Sequence, residues 1–225
     1  MRVIIEEISG FKGAIKGMRY PMNSEHLSDS NFDNGIKLGE KDLDLLIRLS
    51  IAGSAHRKVL RCLHIVLTVA MPFTWWKHLY TYKVGTTAIS RSTMHKGVGK
   101  ELLTRDDFYV EEWNDEQEYV LNKINDLQTK LANATESNKK KKLWRRLIDI
   151  LPLSLLQERY LDLNYENALS MLHLRYQVEK LSPEWDFFCE ELLKGCPYLK
   201  DIYNATKSKR QLTTEEFDAL KKKAQ

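Results

Sequence analysis

The sequence is short of the residues that build cross-linked or loop-dominated proteins. It has 3 cysteines, 5 prolines and 10 glycines among 225 residues. An odd number of widely spaced cysteines argues against a disulfide framework and favours a reducing compartment. The small share of glycine and proline argues against a collagenous or low-complexity chain.

Long hydrophobic runs and a strong charge of one sign are also missing. The longest apolar run, residues 65–73, is far shorter than the roughly 20 residues that cross a bilayer. Glu6 and Glu7 come too early for a signal peptide. The 35 basic and 31 acidic residues give a net charge of +4, which permits an anionic ligand but does not by itself indicate nucleic acid. We expect a cytoplasmic globular protein without a membrane span.

What is present predicts a helix-rich α+β protein. Hydrophobic residues make up 43% of the chain, enough for a large core. Apolar residues at three-to-four spacing and strand-forming runs rich in β-branched residues mark the elements. The predicted helices include residues 39–52, 116–134, 143–151, 164–176, 182–195 and 215–223. The predicted strands are residues 2–8 and 63–70, and residues 85–92 are predicted as a loop. Without a repeat or a change in composition, residues 1–225 are predicted to form a single domain, with residues 201–225 as a C-terminal helical extension.

Two charged or metal-binding patterns leave alternatives open. Residues 139–146 contain six cations, and such a run is typical either of a phosphate-binding face or of a solvated helix end. His64, His173, Cys189 and Cys196 do not have the spacing of a zinc site. No phosphate-binding loop, nucleophile elbow or zinc-protease motif occurs, so we predict no metal.

Residues 75–96 carry cations and hydroxyls directly after a cluster of aromatic residues. Hydroxyl groups and backbone N–H groups flanked by cations suit a phosphate or a nucleotide. Aromatic side chains suit the planar ring of such a ligand. The same composition is equally typical of an ordinary polar loop after an aromatic core helix.

Two stretches of sequence, taken in order, resemble the flavin-dependent thymidylate synthases. The first runs from His64 to Thr86 and reads HIVLTVAMPFTWWKHLYTYKVGT. The second contains Leu151-Pro152, Asn164, Leu172-His173-Leu174-Arg175, Glu184-Trp185 and Cys196-Pro197. Together they cover about residues 56–200. The family's Arg-His-Arg motif falls on Thr81, Tyr82 and Lys83, so only Lys83 keeps the positive charge, and the Ser of that motif falls on Thr86.

The resemblance implies roles for named residues. His64, His78, Lys83 and Asn164 would bind the cofactor. Thr86, Ser90, Arg91, Ser92 and Arg175 would bind the substrate, with Ser90, Arg91 and Ser92 at the nucleotide phosphate. Arg175 would also be the catalytic residue, because it would stabilise negative charge that develops on the pyrimidine.

The resemblance also implies a fold and an activity. The fold would be a helix-rich α+β domain with a small antiparallel sheet, and the chain would form a homotetramer. The activity would be methylation of dUMP, or a related one-carbon transfer to a pyrimidine deoxynucleotide, with reduced FAD as hydride donor and with NADPH and methylenetetrahydrofolate as co-substrates. One alternative is a non-catalytic nucleotide-binding or interaction protein that kept the fold and lost the flavin chemistry. Another is a nucleic-acid-binding protein that uses residues 139–146.

Overall fold

A computed structural model describes residues 1–90, 101–178 and 181–207. Its strands are β1 (Arg2–Ser9), β2 (His64–Pro72), β3 (Thr86–Ser90) and β4 (Leu156–Asn164). Its α-helices are α1 (Phe11–Arg19), α2 (Glu40–Ile51), α3 (Phe73–Leu79), α4 (Asp115–Asn133), α5 (Ser137–Asp149), α6 (Tyr165–Arg175), α7 (Ser182–Gly195) and α8 (Leu199–Lys207). No helix in the described ranges is long and apolar enough to span a bilayer.

The strands form one small antiparallel sheet in the order β1-β2-β4-β3. β4 therefore lies between two strands that precede it in the sequence. In the register of β3 with β4, Thr86 pairs with Leu163 and Ser90 with Arg159. Every second residue of β4 from Gln157 to Leu163 is buried, so one face of this strand is covered by protein, as period-2 alternation requires.

The chain divides into two compact units. Of the described residues, the sheet unit comprises 1–7, 66–90, 101–163 and 181–188. The helical unit comprises residues 8–65, 164–178 and 189–225, of which residues 208–225 lie outside the described ranges. The expectation of a single domain over residues 1–225 stays a prediction.

The sheet unit has two hydrophobic clusters. In the first, Trp75 and Trp76 of α3 are fully buried, and Trp75 packs against Trp185 and Phe188 with ring centroids about 5 Å apart. The second cluster lies between α4 and α5 and contains Ile124, Leu127, Ala134, Leu143 and Leu147. Asn114 starts α4 with a capping box in which its side chain accepts hydrogen bonds from two backbone N–H groups, which fixes where this helix begins.

The helical unit is organised around a close approach of α1 to the 3-10 helix Arg57–Cys62. Gly10, which precedes α1, has φ +88°, and a Cβ there would lie 2.0 Å from the carbonyl oxygen of Cys62. Only glycine meets both demands. The contact holds Phe11 against the ring of Tyr165, at 5.5 Å between centroids in an edge-on arrangement.

The structure confirms the helix-rich α+β class and most of the predicted helices. The patterns at residues 39–52, 116–134 and 164–176 correspond to α2, α4 and α6, and the pattern at 63–70 corresponds to β2. The loop prediction for residues 85–92 was wrong, because Thr86–Ser90 is strand β3. Strand β4 was not predicted at all. The predicted terminal helix at 215–223 lies outside the described residues.

Candidate active site

The structure divides the predicted site residues between its two units. Those in the sheet unit are His78, Lys83, Thr86 and Ser90. Those in the helical unit are His64, Asn164 and Arg175. Arg91 and Ser92, predicted at the nucleotide phosphate, lie outside the described residues. Each group is therefore described within its own unit.

His78 stands in the last turn of α3, half-buried beside α7. Its Nδ1 accepts a hydrogen bond from the indole N–H of Trp185 at 3.2 Å. An indole can only donate, so the Nδ1 of His78 carries a lone pair and the ring hydrogen is on Nε2. The buried tryptophan thereby fixes the tautomer of the His78 ring.

Thr81 and Tyr82 occupy the positions at which the resembling family has Arg and His, and both stabilise local structure. Thr81 donates its hydroxyl to the carbonyl oxygen of His78 at 2.8 Å, which satisfies a carbonyl at the end of α3. Tyr82 packs edge-on against Trp185, with 5.8 Å between centroids. These side chains stabilise the end of α3, and neither carries a charge.

Lys83 and Thr86 lie on the connection from α3 to β3. Lys83 is exposed, so its ammonium group can approach a solvent-borne anion. The Thr86 hydroxyl donates to the carbonyl oxygen of Tyr82 at 2.8 Å. That bond closes the turn that leads into β3, and it leaves the lone pairs of the Thr86 hydroxyl for a further donor.

Ser90 ends β3 and is exposed. Its pairing partner across the sheet is Arg159, and side chains that pair directly across antiparallel strands leave the same face about 5 Å apart. Arg159 contacts the rings of Trp76 and Tyr80, with its guanidinium carbon 4.5 Å and 5.1 Å from the two centroids. Sequence reasoning missed this residue.

A sequence signal for Arg159 did exist. Leu155, Leu161 and Leu163 alternate with polar residues, which is the period-2 pattern of a half-buried strand. Gln157 and Arg159 occupy the apolar phase of that alternation. A buried arginine on a strand was therefore encoded, but the strand itself was not identified.

In the helical unit, His64 and Asn164 stand at the facing ends of neighbouring strands. The backbone N–H of Tyr165 donates to the carbonyl oxygen of Leu63 at 3.0 Å, and this bond joins the residues next to both. Asn164 has an extended backbone, and its side chain accepts a hydrogen bond from the N–H of Asn167 at 3.0 Å. Asn164 is therefore the N-cap of α6, outside the helix proper, and its amide N–H₂ group is the part that could face a ligand.

Arg175 is the last residue of α6 and is half-buried. It follows Asn164 by eleven residues, which is about three helical turns and about 16 Å along the axis. The two residues lie on one side of the helix at opposite ends. They can contact one ligand only if that ligand is long, as a dinucleotide is.

A cleft of about 830 Å³ opens elsewhere in the helical unit, between α1, α2 and the 3-10 helix Arg57–Cys62. Met18 and Leu49 line its floor, and Lys41 and Lys58 are at its rim. None of the predicted site residues lines it.

The basic run at residues 139–146 lies on α5. Leu143 and Leu147 of this helix are buried against α4, while Lys139–Lys142, Arg145 and Arg146 are exposed. Arg145 pairs with Asp149 at 3.0 Å. α5 is therefore an amphipathic helix with a solvated basic face. This geometry tests neither the phosphate-binding nor the nucleic-acid-binding interpretation of residues 139–146.

Comparison with known proteins bears on the fold. No family model matches the sequence, and no curated protein matches it. Among solved structures, thymidylate synthase X from Helicobacter pylori, solved with FAD and dUMP, is 18% identical with a TM-score of 0.67, and the match covers 92% of this chain and 100% of that one. The UMP/dUMP methylase PolB from Streptomyces cacaoi, bound with 5-Br dUMP, is 15% identical with a TM-score of 0.60, covering 92% and 94%. The chain has the fold of the flavin-dependent thymidylate synthases, and the resemblance stated from the sequence is confirmed at that level.

Proposed function

We propose that this protein is a flavin-dependent methylase of a pyrimidine deoxynucleotide, with dUMP as the expected substrate. The proposal rests on the similarity in fold to thymidylate synthase X, which extends over 92% of this chain and 100% of that one. The compared proteins are described with FAD and dUMP or as methylating UMP and dUMP. Fold alone does not determine chemistry, so the residues must also suit these ligands.

The donors present fit a flavin nucleotide. His78 would contact the flavin through an imidazole ring whose orientation is held by the indole N–H of Trp185. Lys83 offers an exposed ammonium group for a diphosphate, although without the forked geometry of the family's arginine. In the helical unit, the residues proposed to contact the cofactor are Asn164, through its amide N–H₂, and His64, through its ring. When bound, the reduced flavin supplies a hydride, and NADPH and methylenetetrahydrofolate are the proposed co-substrates.

The roles proposed for the chain itself are binding and charge stabilisation. Arg175 would hold the pyrimidine ring and stabilise the negative charge that develops on it when the ring is attacked or deprotonated. Thr86 would accept a hydrogen bond from the nucleotide through its hydroxyl oxygen, and Ser90, Arg91 and Ser92 would contact the nucleotide phosphate. No enzyme nucleophile is needed, because the protein's contribution is orientation of the rings.

The experiment is a visible absorption spectrum of the purified protein, taken after gel filtration with added FAD and again after dUMP. We expect flavin bands that stay with the protein and shift when dUMP binds. Arg175→Gln should retain FAD and lose the dUMP-induced shift, whereas Lys139→Gln, an exposed charge on α5, should change neither. A protein that stays colourless and transfers no methyl group would contradict the proposal.

A second candidate is a nucleotide-binding protein without flavin chemistry. It is favoured by Thr81 and Tyr82, which occupy the family's Arg and His positions and contact the end of α3 and Trp185. In that case dUMP would bind with micromolar or better affinity while FAD did not bind at all. Isothermal titration with each ligand separately distinguishes the two candidates.

A further inference from the structure

Arg159 is a buried cation inside the sheet unit. The residue is 8% exposed, and it lies on β4 beneath Trp76 and Tyr80 of the adjoining helical segment. Burial disfavours the charged form and lowers the pKa of its guanidinium, an effect that Tyr80 opposes in part. Arginines at this depth are normally paired with a carboxylate.

Arg159 forms no ion pair with any carboxylate in the described part of the chain. Arg19 provides the comparison within the same molecule, because it is 6% exposed and its Nε lies 2.6 Å from Asp42 Oδ1. Arg159 instead donates from Nε to the amide oxygen of Gln157 at 2.8 Å, from Nη2 to that same oxygen, and from Nη1 to the hydroxyl of Tyr80. Among the described residues, its hydrogen-bond partners are all neutral.

The guanidinium also has hydrogen-bonding capacity left over. It carries five N–H groups, and three of them are engaged by Gln157 and Tyr80. Two N–H groups on the Nη atoms therefore have no acceptor among the described residues. Tyr80 accepts from Arg159, so its own hydroxyl hydrogen can be donated to a further group.

The surroundings give an anion access to this charge. Tyr80 is 52% exposed, and Ser90, the cross-strand partner of Arg159, is exposed on the edge strand. We infer that Arg159, with the hydroxyls of Tyr80 and Ser90, forms a binding site for a phosphate group at the β3 edge of the sheet, and that this phosphate is the one on the nucleotide. Its assignment to the nucleotide rests on the proposed function, whereas the phosphate site itself does not.

The chemistry favours phosphate. A guanidinium with two N–H groups to offer is matched to two oxygens of one phosphate. The flat rings of Trp76 and Tyr80 hold the guanidinium plane in place, so little side-chain freedom is lost when the anion binds. The two hydroxyls would donate to the remaining oxygens.

The first experiment uses inorganic phosphate as the probe. In a ¹⁵N-labelled full-length protein, the Nε–H signal of Arg159, assigned from its loss in Arg159→Lys, should shift saturably as phosphate is added at constant ionic strength. Chloride should not reproduce the shift. An Arg159 signal that does not respond to phosphate would overturn the inference.

The second experiment compares dUMP with deoxyuridine, which lacks the phosphate. Arg159→Met should weaken dUMP binding about tenfold or more and leave deoxyuridine binding unchanged. Tyr80→Phe should weaken dUMP by a smaller factor. Arg2→Met, which removes an exposed arginine of β1 that pairs with Glu158, is the matched control and should change neither affinity.

Thermal stability separates a ligand site from a structural role. Burial of a charge without a counter-charge costs free energy, so Arg159→Met, which removes that charge, should melt at or above the temperature of the original protein. A lower melting temperature with unchanged phosphate and dUMP affinities would mean that Arg159 is structural. If Arg159→Met does not fold, Arg159→Lys keeps the charge without the fork and should still lose most of the phosphate preference.

The two proposals can fail independently. If dUMP binds equally well to the original protein and to Arg159→Met, the inference fails and the proposed function survives. If phosphate shifts the Arg159 signal but neither dUMP nor FAD binds, the proposed function fails and the phosphate site stands, with another phosphate monoester as its ligand.

Discussion

Asp42 is a buried carboxylate in the helical unit with a complete set of donors. It is fully buried, and it accepts hydrogen bonds from the hydroxyls of Ser28 and Ser30 at 2.6 Å and from Arg19 at 2.6 Å. Burial alone would raise the pKa of Asp42, but the hydrogen bonds and the charge of Arg19 outweigh burial and hold the pKa below its ordinary value. The loop after α1 is thereby tied to α2.

We predict that Asp42→Asn lowers the free energy of unfolding by about 3 kcal/mol at neutral pH, because it leaves the buried Arg19 without its counter-charge. A carboxyl whose folded-state pKa is depressed stabilises the fold above its unfolded pKa of about 3.9. This stabilisation is lost as the pH falls through the folded-state pKa. Urea unfolding at pH 7, 5, 4 and 3 should show the difference between the two proteins shrinking below about pH 4.

The control for Asp42 is two residues away. Asp44 is exposed and pairs with Arg48 one helical turn later at 2.7 Å, and such surface pairs contribute little. Asp44→Asn should change the free energy of unfolding by less than about 0.5 kcal/mol. Equal effects of the two substitutions would contradict the assignment of a special role to Asp42.

At the scale of single elements, Asn164 at the start of α6 has two candidate roles. Asn164 caps the helix through its side-chain oxygen, and it is also proposed to contact the flavin through its amide N–H₂. Aspartate keeps the capping oxygen and removes the N–H₂ group. Substitution at this one position can therefore separate stability from cofactor binding.

We predict that Asn164→Ala lowers the free energy of unfolding by about 1 kcal/mol and also weakens FAD binding, whereas Asn164→Asp weakens FAD binding with little loss of stability. Chemical unfolding and FAD titration of the same preparations give both quantities. Asn114→Ala, at the cap of α4, should lose similar stability and bind FAD normally. FAD affinity that follows stability in all three variants would mean that Asn164 is only a cap.

The success of sequence reasoning differed between helices and strands for a physical reason. The apolar residues of α2, α4 and α6 recur at three-to-four spacing within each helix, so a local pattern was enough to identify these helices. Thr86–Ser90 is small and polar, and it is a strand because β4 pairs with it. β4 in turn contains Glu158, Arg159 and Asp162, whose charges obscure its alternation. Pairing between strands 69 to 77 residues apart in the sequence leaves no local pattern at β3.

The same limit applied to the candidate site. His64, His78 and Asn164 could be proposed because they fall on motifs of the resembling family. The donation from Trp185 to His78, which fixes the tautomer, joins residues 107 apart in the chain. The pairing of Ser90 with Arg159 likewise required the sheet register. Contacts between distant segments depend on tertiary packing. Neither the composition of the chain nor the spacing of its residues predicts each such contact.

At the scale of the whole molecule, the three thiols differ in their access to solvent. Cys62 is exposed, whereas Cys189 and Cys196 are buried. Burial raises the pKa of Cys196 to about 12, so its thiol stays protonated at neutral pH and is a poor nucleophile. The rate at which the thiols of Cys189 and Cys196 react therefore measures how often the fold around them opens.

We predict that a disulfide reagent modifies one thiol per chain rapidly at pH 7.5, and that the other two react only as fast as the fold opens. Cys62→Ser should remove the rapid phase and leave the slow phases unchanged. Denaturant below the unfolding midpoint should accelerate the slow phases. A rapid phase that persists in Cys62→Ser would show that the buried cysteines are more accessible than the structure indicates.

The place of β4 in the sheet has a consequence for how the protein is made. β4 is the last strand among the described residues, yet it separates β2 from β3. A nascent chain that has emerged only as far as residue 155 holds β1, β2 and β3 with no strand between the last two, so β2 and β3 each leave an edge of backbone donors and acceptors unpaired. Such edges invite association with other chains, and long-range pairing of this kind is slow to form. The four-stranded sheet can therefore form only after the chain has been synthesised beyond Asn164. A protein truncated before β4 should be captured by chaperones or aggregate.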